Sequence, residues 1–483
     1  GTWYWNRYPG IACDVESYVY LPLLEEVGYM PTEKYAKGAE IFAHCQQIAR
    51  HYDLYRDACL QTEVREIRWD ATQARWVITT DRGDAIRARF VSMANGYLQK
   101  PKLPGIEGIA SFRGHAFHTS RWDYAYTGGD PSGGLTGLAD KRVGIIGTGA
   151  TAVQCVPHLG AGARELFVFQ RTPSSVDFRN DRPTDPAWAA SLAPGWQRER
   201  MHNFTTVISG GAFDVDLVND GWTDLITNIL LAARRQPPGG QGPANTDELI
   251  QLADYRKMER VRARVDDVVR DRATAEALKP WYNQFCKRPC FHDEYLQTFN
   301  RPNVHLVDTQ GRGVERITAR GVVVAGREYP LDCLIFGTGF EVGTDFTRRL
   351  GFEVRGRDGL TLTEKWKPGA STFHGLFTRG FPNLFVMTTQ QSGQSANFQH
   401  MLDEQSRHIA YVMGEVARRG VRTLEADAQA EAEWVRTILK YAHARLPYLN
   451  ACTPGYYNNE GTPNERTARN SQFWRGPMAF IRL

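Results

Sequence analysis

An α/β fold of Rossmann-like dinucleotide-binding domains carrying a helical insert is predicted by three observations. First, a β-rich run, Lys141-Arg142-Val143-Gly144-Ile145-Ile146, passes directly into Gly147-Thr148-Gly149-Ala150-Thr151-Ala152 and an apolar helix start. Glycines in such a turn let the backbone approach a pyrophosphate, and the helix that follows offers free N–H groups and the positive end of its dipole. Second, residues 89–96 and 331–340 each carry a β-rich segment into a small-residue turn, Ala94-Asn95-Gly96 and Gly337-Thr338-Gly339, as further strand–turn units would. Third, between Trp196 and Trp281 the texture becomes helical, with Met258, Val261, Val265 and Val268 recurring on one face at amphipathic spacing.

The element after the glycine turn carries the most chemistry. Glu165-Leu-Phe-Val-Phe169 reads as the next strand, and its end delivers the residue that meets the adenosine ribose, about twenty positions after the glycines. Gln170-Arg171-Thr172 stands there in place of an acid. A guanidinium suits a 2′-phosphate that a carboxylate would repel, so NADPH is expected over NADH. Within the helical stretch Asn245 is placed to cap a helix with Glu248 three residues on, the spacing of a capping box. Residues 236–245 and 127–137, dense in Gly and Pro, read as linkers. Pro382-Asn-Leu-Phe-Val-Met387 is another short strand, and a helix carrying Met401, Glu404 and His408 follows a polar stretch.

Composition narrows the partners. The 483 residues carry a formal net charge of +4, with 42% hydrophobic and 23% charged residues. No apolar run approaches the roughly 18 residues of a membrane helix. Arg260 to Arg272 is interleaved with Asp266, Asp267 and Asp271, which makes it a solvated helix face and not a nucleic-acid patch. The eight Cys are scattered, and the closest pair, Cys286 and Cys290, lacks C-x-x-C spacing. A cytoplasmic protein without a metal site, and without membrane or nucleic-acid partners, is expected. The chain opens on Gly1-Thr-Trp-Tyr-Trp-Asn-Arg-Tyr-Pro-Gly10 with no initiator Met and no preceding strand and glycine turn, so it is expected to be a fragment.

The stretch Phe112-Arg-Gly114-His-Ala-Phe-His118-Thr-Ser-Arg-Trp122-Asp123 fits F-x-G-x-x-x-H-x-x-x-W-(P/D) at every fixed position. It resembles the signature of type I Baeyer–Villiger monooxygenases, which are class B flavoprotein monooxygenases. Chance would give five such positions about once in ten million start points. Three more blocks resemble the family, in the family's order: the opening segment through Ser17, similar to the part that wraps the flavin; the glycine turn with Gln170-Arg171-Thr172; and Lys287-Arg288-Pro289. The likeness covers essentially the whole chain, less the G-x-G-x-x-G that seats the FAD pyrophosphate and a closing segment past Leu483.

The resemblance implies an FAD- and NADPH-dependent enzyme converting bulky or cyclic ketones to esters or lactones through a flavin peroxide anion. Such an anion needs a fixed positive charge beside it, which Arg retains near neutral pH. The resemblance assigns that charge to Arg288, held by Asp14, as the catalytic pair. It places Thr2, Trp3, Tyr4, Trp5, Asp14, Val15, Tyr20, Val64, Tyr97 and Met401 at FAD. At NADP it places Ala12, Cys13, Asp14, Thr148, Gly149, Ala150, Thr151, Ala152, Val153, Gln154, Arg171, Thr172, Lys287 and Arg288. Asn397 and Phe398 are implied for the substrate pocket. Phe112, Gly114, His118, Trp122 and Asp123 would lie on the linker between nucleotide domains, where His118 works mechanically and not as a general base. The implied domain order is FAD-binding 1–136, NADP-binding 137–190, helical insert 191–286, NADP-binding 287–344 and FAD-binding 345–483. Asn450-Ala-Cys-Thr-Pro-Gly-Tyr456-Tyr457-Asn-Asn-Glu-Gly461 replaces a Trp-bearing segment of many members and points to bulky cyclic ketones or steroids. An N- or S-oxidising flavin monooxygenase and an inactive nucleotide-binding module stay open as other readings. A disulfide reductase is disfavoured, because the Cys spacings offer no redox pair.

Overall fold

The computed structural model describes residues 1–231 and 246–483; the expected Asn245 cap and the linker at 236–245 lie outside them. Packing divides the chain into two compact units, Gly1–Gln47 with Leu98–Phe340, and Ile48–Tyr97 with Glu341–Leu483. The strand–turn units expected at 89–96 and 331–340 end beside two of the points where the chain passes from one unit to the other.

The first unit is built on a five-stranded sheet in the order Val304–Asp308, Glu165–Gln170, Arg142–Ile146, Cys333–Phe336, His115–His118. Every pairing is parallel, with Cys333 opposite both Val143 and His115. Parallel sheets are covered on both faces, so their strands read as unbroken apolar runs. Val143, Ile145, Leu166, Val168, Leu334 and Ile335 accordingly have no solvent exposure. Helix Ala150–Gly162 joins Arg142–Ile146 to Glu165–Gln170, and its Ala152, Val156 and Leu159 pack into the core beneath the sheet. His115–His118, the centre of the expected linker signature, is an edge strand of this sheet.

The helical stretch consists of Trp196–Ile208, Gly221–Ile226, a turn of π-helix at Thr227–Leu231, Thr246–Val268 and Arg272–Leu278. On the long helix Met258, Val261 and Val265 are buried and Val268 is half-buried, which is the face that the 3.6-residue period marks.

The second unit holds a four-stranded mixed sheet, Glu353–Arg355, Val64–Asp70, Arg75–Thr80, Ala85–Ala88. Trp69, Trp76, Val354, Leu362 and Trp366 form its core. Val91–Met93, shorter than expected, pairs in parallel with Leu384–Val386. Helix Phe398–Arg418 follows, with Met401 fully buried.

These packing units do not share the boundaries of the expected cofactor domains. Residues 1–47 and 98–136, expected within an FAD domain, pack with 137–340. Gly10 N donates to Pro131 O at 2.9 Å, and the Tyr8 hydroxyl donates to Gln154 at 3.0 Å, so the opening segment is fastened to helix Ala150–Gly162. Among the described residues no helix is long and apolar enough to cross a membrane.

Candidate active site

Asp14 and Arg288, 274 positions apart, meet in the first unit. The guanidinium donates from Nη1 to Asp14 Oδ2 at 2.6 Å and from Nη2 to Oδ1 at 2.7 Å. This is the bidentate fork geometry, in which charge-assisted bonds fix direction as well as position. The Asp14 side chain is 8% exposed and that of Arg288 34%, so a buried carboxylate aims a cation that reaches toward solvent. Nη1 also donates to Pro289 O at 3.1 Å.

The helical insert supplies a third member. Trp222 Nε1 donates to the main-chain oxygen of Asp14 at 3.0 Å, and its ring lies 5.6 Å from the Arg288 guanidinium carbon. Local sequence explains its place. Asp220 Oδ1 accepts from Trp222 N and Thr223 N at 2.9 and 3.0 Å, and Thr223 Oγ1 accepts from Asp220 N at 3.0 Å, a reciprocal cap that starts helix Gly221–Ile226. A Cβ on Gly221 would stand 2.2 Å from the Phe291 ring, so only glycine lets the two segments approach. Burial pushes the Asp220 carboxyl up to about 7.

The glycine turn is made of backbone. Gly147 has φ +112°, and a Cβ there would sit 2.4 Å from Gly337 O, whereas a Cβ on Gly149 would meet nothing within 4 Å. Gly149 therefore leaves open space in front of helix Ala150–Gly162, whose first turn has no side-chain cap. Uncapped N–H groups of Ala150, Thr151 and Ala152 behind an open glycine fit the pyrophosphate of NADP. Thr148 Oγ1 donates to Thr172 O at 2.8 Å and Ser174 Oγ to Thr148 O at 2.5 Å, which ties the turn to the end of strand Glu165–Gln170. Arg171 is exposed at that end, with Gly313 beside its Cδ.

Two residues expected at NADP turn inward. Val153 is 1% and Gln154 6% exposed, because they lie past the first turn of the helix on its packed side. Gln154 Oε1 accepts from Tyr8 Oη at 3.0 Å and from Ala12 N at 3.4 Å, while its Nε2 donates to Ala12 O at 3.0 Å. Its side chain fastens residues 8–12 to the helix. Ala12 and Cys13 are buried in that joint, where burial pushes the Cys13 thiol up. Lys287 is half-buried next to Arg288.

Thr2–Trp5 forms one helical turn. Trp3 meets Tyr20 edge-on at 6.0 Å; Tyr4 and Trp5 keep 47% and 42% of their surface exposed. Val15 is buried and Tyr20 half-buried. Exposed flat aromatic surface of this kind fits a planar heterocycle such as isoalloxazine. Arg121 lies 4.0 Å over the Trp5 ring, donating also to Ser120 O at 2.8 Å and Gln99 O at 3.0 Å. The signature thus reaches the aromatic turn through Arg121.

Within the signature each fixed residue has a local task. The Phe112 ring folds onto Gly114, where a Cβ would stand 2.5 Å away. His118 Nδ1 accepts from Ser120 N at 3.1 Å, which leaves the ring proton on Nε2. Burial lowers its pKa to about 4, so the imidazole is neutral near pH 7 and is a fastening group for the turn at 119–121. Trp122 Nε1 donates to Thr127 Oγ1 at 3.1 Å, and Asp123 accepts from Tyr126 N at 3.2 Å and lies 2.9 Å from His115 Nε2.

In the second unit Val64 opens strand Val64–Asp70. The rings of Tyr97 and Phe398 meet at 5.8 Å, and Asn397 and Met401 are fully buried. Sequence reasoning missed Trp222, Tyr8 and Arg121. The Asp220-x-x-Thr223 spacing was readable as a helix start, but nothing local joins Trp222 to Asp14, 208 positions away.

Comparison with known proteins follows the same lines. No protein-family profile matches the chain. Among curated proteins, neopentalenolactone D synthase from Streptomyces avermitilis is 58% identical over 485 residues, covering 100% of this chain and 82% of that protein. Baeyer–Villiger monooxygenase ATR8 from Stachybotrys chlorohalonatus is 53% identical over 469 residues, covering 97% of this chain and 75% of that protein. Among solved structures, the polycyclic ketone monooxygenase of the thermophilic fungus Thermothelomyces thermophila superposes with TM-score 0.90 at 42% identity, over 100% of this chain and 80% of that one. A complex of OTEMO with FAD and NADP superposes with TM-score 0.74 at 29% identity, over 91% and 83%.

Proposed function

The chain belongs to the Baeyer–Villiger monooxygenase family, and on that premise we propose that it inserts one oxygen atom of O2 beside the carbonyl of a bulky cyclic ketone, giving a lactone. Ketone, O2, NADPH and a proton become ester, water and NADP⁺. FAD and NADPH are its cofactors; they supply the hydride and the oxygen-reactive ring.

The observation that carries the assignment is the Asp14–Arg288 fork. Two of the guanidinium's N–H groups are committed to Asp14, so the charge is held in one direction at a site 34% exposed. A preoriented cation stabilises negative charge without reorganising, an effect on the order of 10²–10³ in rate for a single well-placed donor. Arg serves where Lys would not, because it stays charged at any working pH. NADPH is proposed to lie with its pyrophosphate against Ala150, Thr151 and Ala152 and its 2′-phosphate at Arg171 and Lys287. Thr2–Trp5, Val15 and Tyr20 are proposed for the flavin. The assignments of Val64, Tyr97 and Met401 to FAD, and of Asn397 and Phe398 to the ketone, rest on the family likeness alone, as does the cofactor-domain order 1–136, 137–190, 191–286, 287–344 and 345–483. A bulky ketone is favoured because the solved relative with the higher TM-score acts, by its name, on polycyclic ketones.

The test supplies the FAD-loaded enzyme with NADPH, labelled dioxygen and, in separate reactions, a polycyclic ketone, a tertiary amine and a sulfide, with products read by mass. A lactone carrying one labelled oxygen is the expected result. Oxygenation of the amine or sulfide with none of the ketone would replace this reading by the N- or S-oxidising one.

A further inference from the structure

We propose that Trp222 is a positioning residue for Arg288, fixing both halves of the Asp14–Arg288 pair from the helical insert; this rests on the role given to Arg288 above. Three segments far apart in the chain converge here, at residues 14, 222 and 288. Asp14 has its side chain committed to the guanidinium, at 2.6 and 2.7 Å. Its main chain is held by the Trp222 indole N–H at 3.0 Å, which fixes the backbone from which the carboxylate projects. The same indole presents its ring to the guanidinium carbon at 5.6 Å, inside the range at which a cation is attracted to the ring face. One side chain therefore restrains the carboxylate through its backbone and the cation through its charge.

Trp222 is itself immobilised. Its own backbone N–H is taken by Asp220 Oδ1 at 2.9 Å, and its ring packs at 5.4 Å against Phe291, three residues beyond Arg288. Packing against Phe291 asks only for an aromatic ring, and phenylalanine would satisfy it. The indole N–H is the part that reaches Asp14, and the difference between the two rings is what an experiment can isolate.

Trp222→Phe keeps the ring and removes the N–H; Trp222→Leu removes both. In the FAD-loaded enzyme the reading is product formed per NADPH consumed, the remainder of the electrons appearing as hydrogen peroxide. A lost hydrogen bond of about 1 kcal/mol is about 5-fold, so Trp222→Phe should lower product per NADPH about 5-fold while NADPH oxidation continues. Trp222→Leu should lower it about 20-fold as the ring contact is lost as well. A packing role alone would change the unfolding midpoint and not this partition. The second reading needs no cofactor: in urea unfolding of the chain, Trp222→Leu and Arg288→Met should be non-additive by about 5-fold in the unfolding constant. Unchanged product per NADPH in both Trp222 variants, or strict additivity in urea, would overturn the proposal. If Arg288→Met still makes lactone at the parent rate, it is the role of Arg288 that fails. If Arg288→Met loses lactone and the Trp222 variants do not, only the inference about Trp222 fails.

Discussion

The glycine turn at 147–152 and the Asp14–Arg288 pair are two sites in one unit, made in opposite ways. The turn is backbone: its shape comes from Gly147 at φ +112°, its room from Gly149, and its donors from an uncapped helix. The pair is made by side chains, two groups 274 positions apart joined at 2.6 and 2.7 Å, with the Trp222 indole on the Asp14 main-chain oxygen. A backbone site is written in a few consecutive residues and tolerates most replacements outside its glycines. A side-chain site is written across the whole chain and depends on each member.

That contrast can be broken or sharpened by substitution. The largest effect belongs to Asp14→Ala, which leaves a partly buried guanidinium without its counter-charge; lactone formation should fall at least about 100-fold, measured as steady-state product. Next is Arg171→Ala. Losing a charge-assisted contact to the 2′-phosphate should raise the NADPH KM by about 10–100-fold and leave that of NADH nearly unchanged. An equal rise for both nucleotides would move Arg171 away from the phosphate.

The two glycines separate shape from room. Gly147→Ala places a Cβ 2.4 Å from Gly337 O at a positive φ and should cost about 2 kcal/mol of stability or more. Gly149→Ala meets nothing within 4 Å, so the urea midpoint should hold while NADP⁺ binding weakens by about 10-fold, read by titration. If Gly149→Ala bound NADP⁺ normally, the open space in front of the helix would not be the pyrophosphate site.

The smallest effect concerns Asp220, the cap beneath Trp222. Burial, opposed by the Thr223 N–H bond and by Lys34 and helped by the charges of Glu16 and Asp216, raises its carboxyl from 3.8 to about 7. A raised folded pKa contributes stability that is complete below the ordinary value and is lost as pH rises through the folded one. Relative to Asp220→Asn, the parent should therefore lose stability between about pH 4 and about pH 7, seen as diverging urea midpoints. Parallel midpoints would show that the carboxyl titrates normally.

Legibility in the sequence followed the same division. The strand, turn and helix at 142–162 were readable because each backbone requirement is local, and Arg171 followed by counting from the glycines. The face formed by Met258, Val261 and Val265 was readable from its period. The signature could be recognised as a pattern, yet its physical content was not visible in it: His115–His118 is an edge strand, and Gly114 is required by the Phe112 ring lying over it. Val153 and Gln154 were placed at NADP by the resemblance, and their burial could not be read from it, because a motif gives membership of a helix and not the direction of a side chain past its first turn. Packing of residues 1–47 with 98–340 was hidden for the same reason that Trp222 was, since it depends on side-chain contacts such as Tyr8 to Gln154, 146 positions apart.

The central claim is that Arg288, aimed by Asp14, carries the oxygen transfer and not the reduction by NADPH. The direct measurement follows NADPH consumption, lactone and hydrogen peroxide together in the FAD-loaded parent and in Arg288→Ala, with a polycyclic ketone present. The account predicts lactone from the parent, and from Arg288→Ala continued NADPH oxidation with the electrons recovered as hydrogen peroxide and lactone down by about 100-fold or more. Lactone from Arg288→Ala in the parent's proportion to NADPH would contradict it.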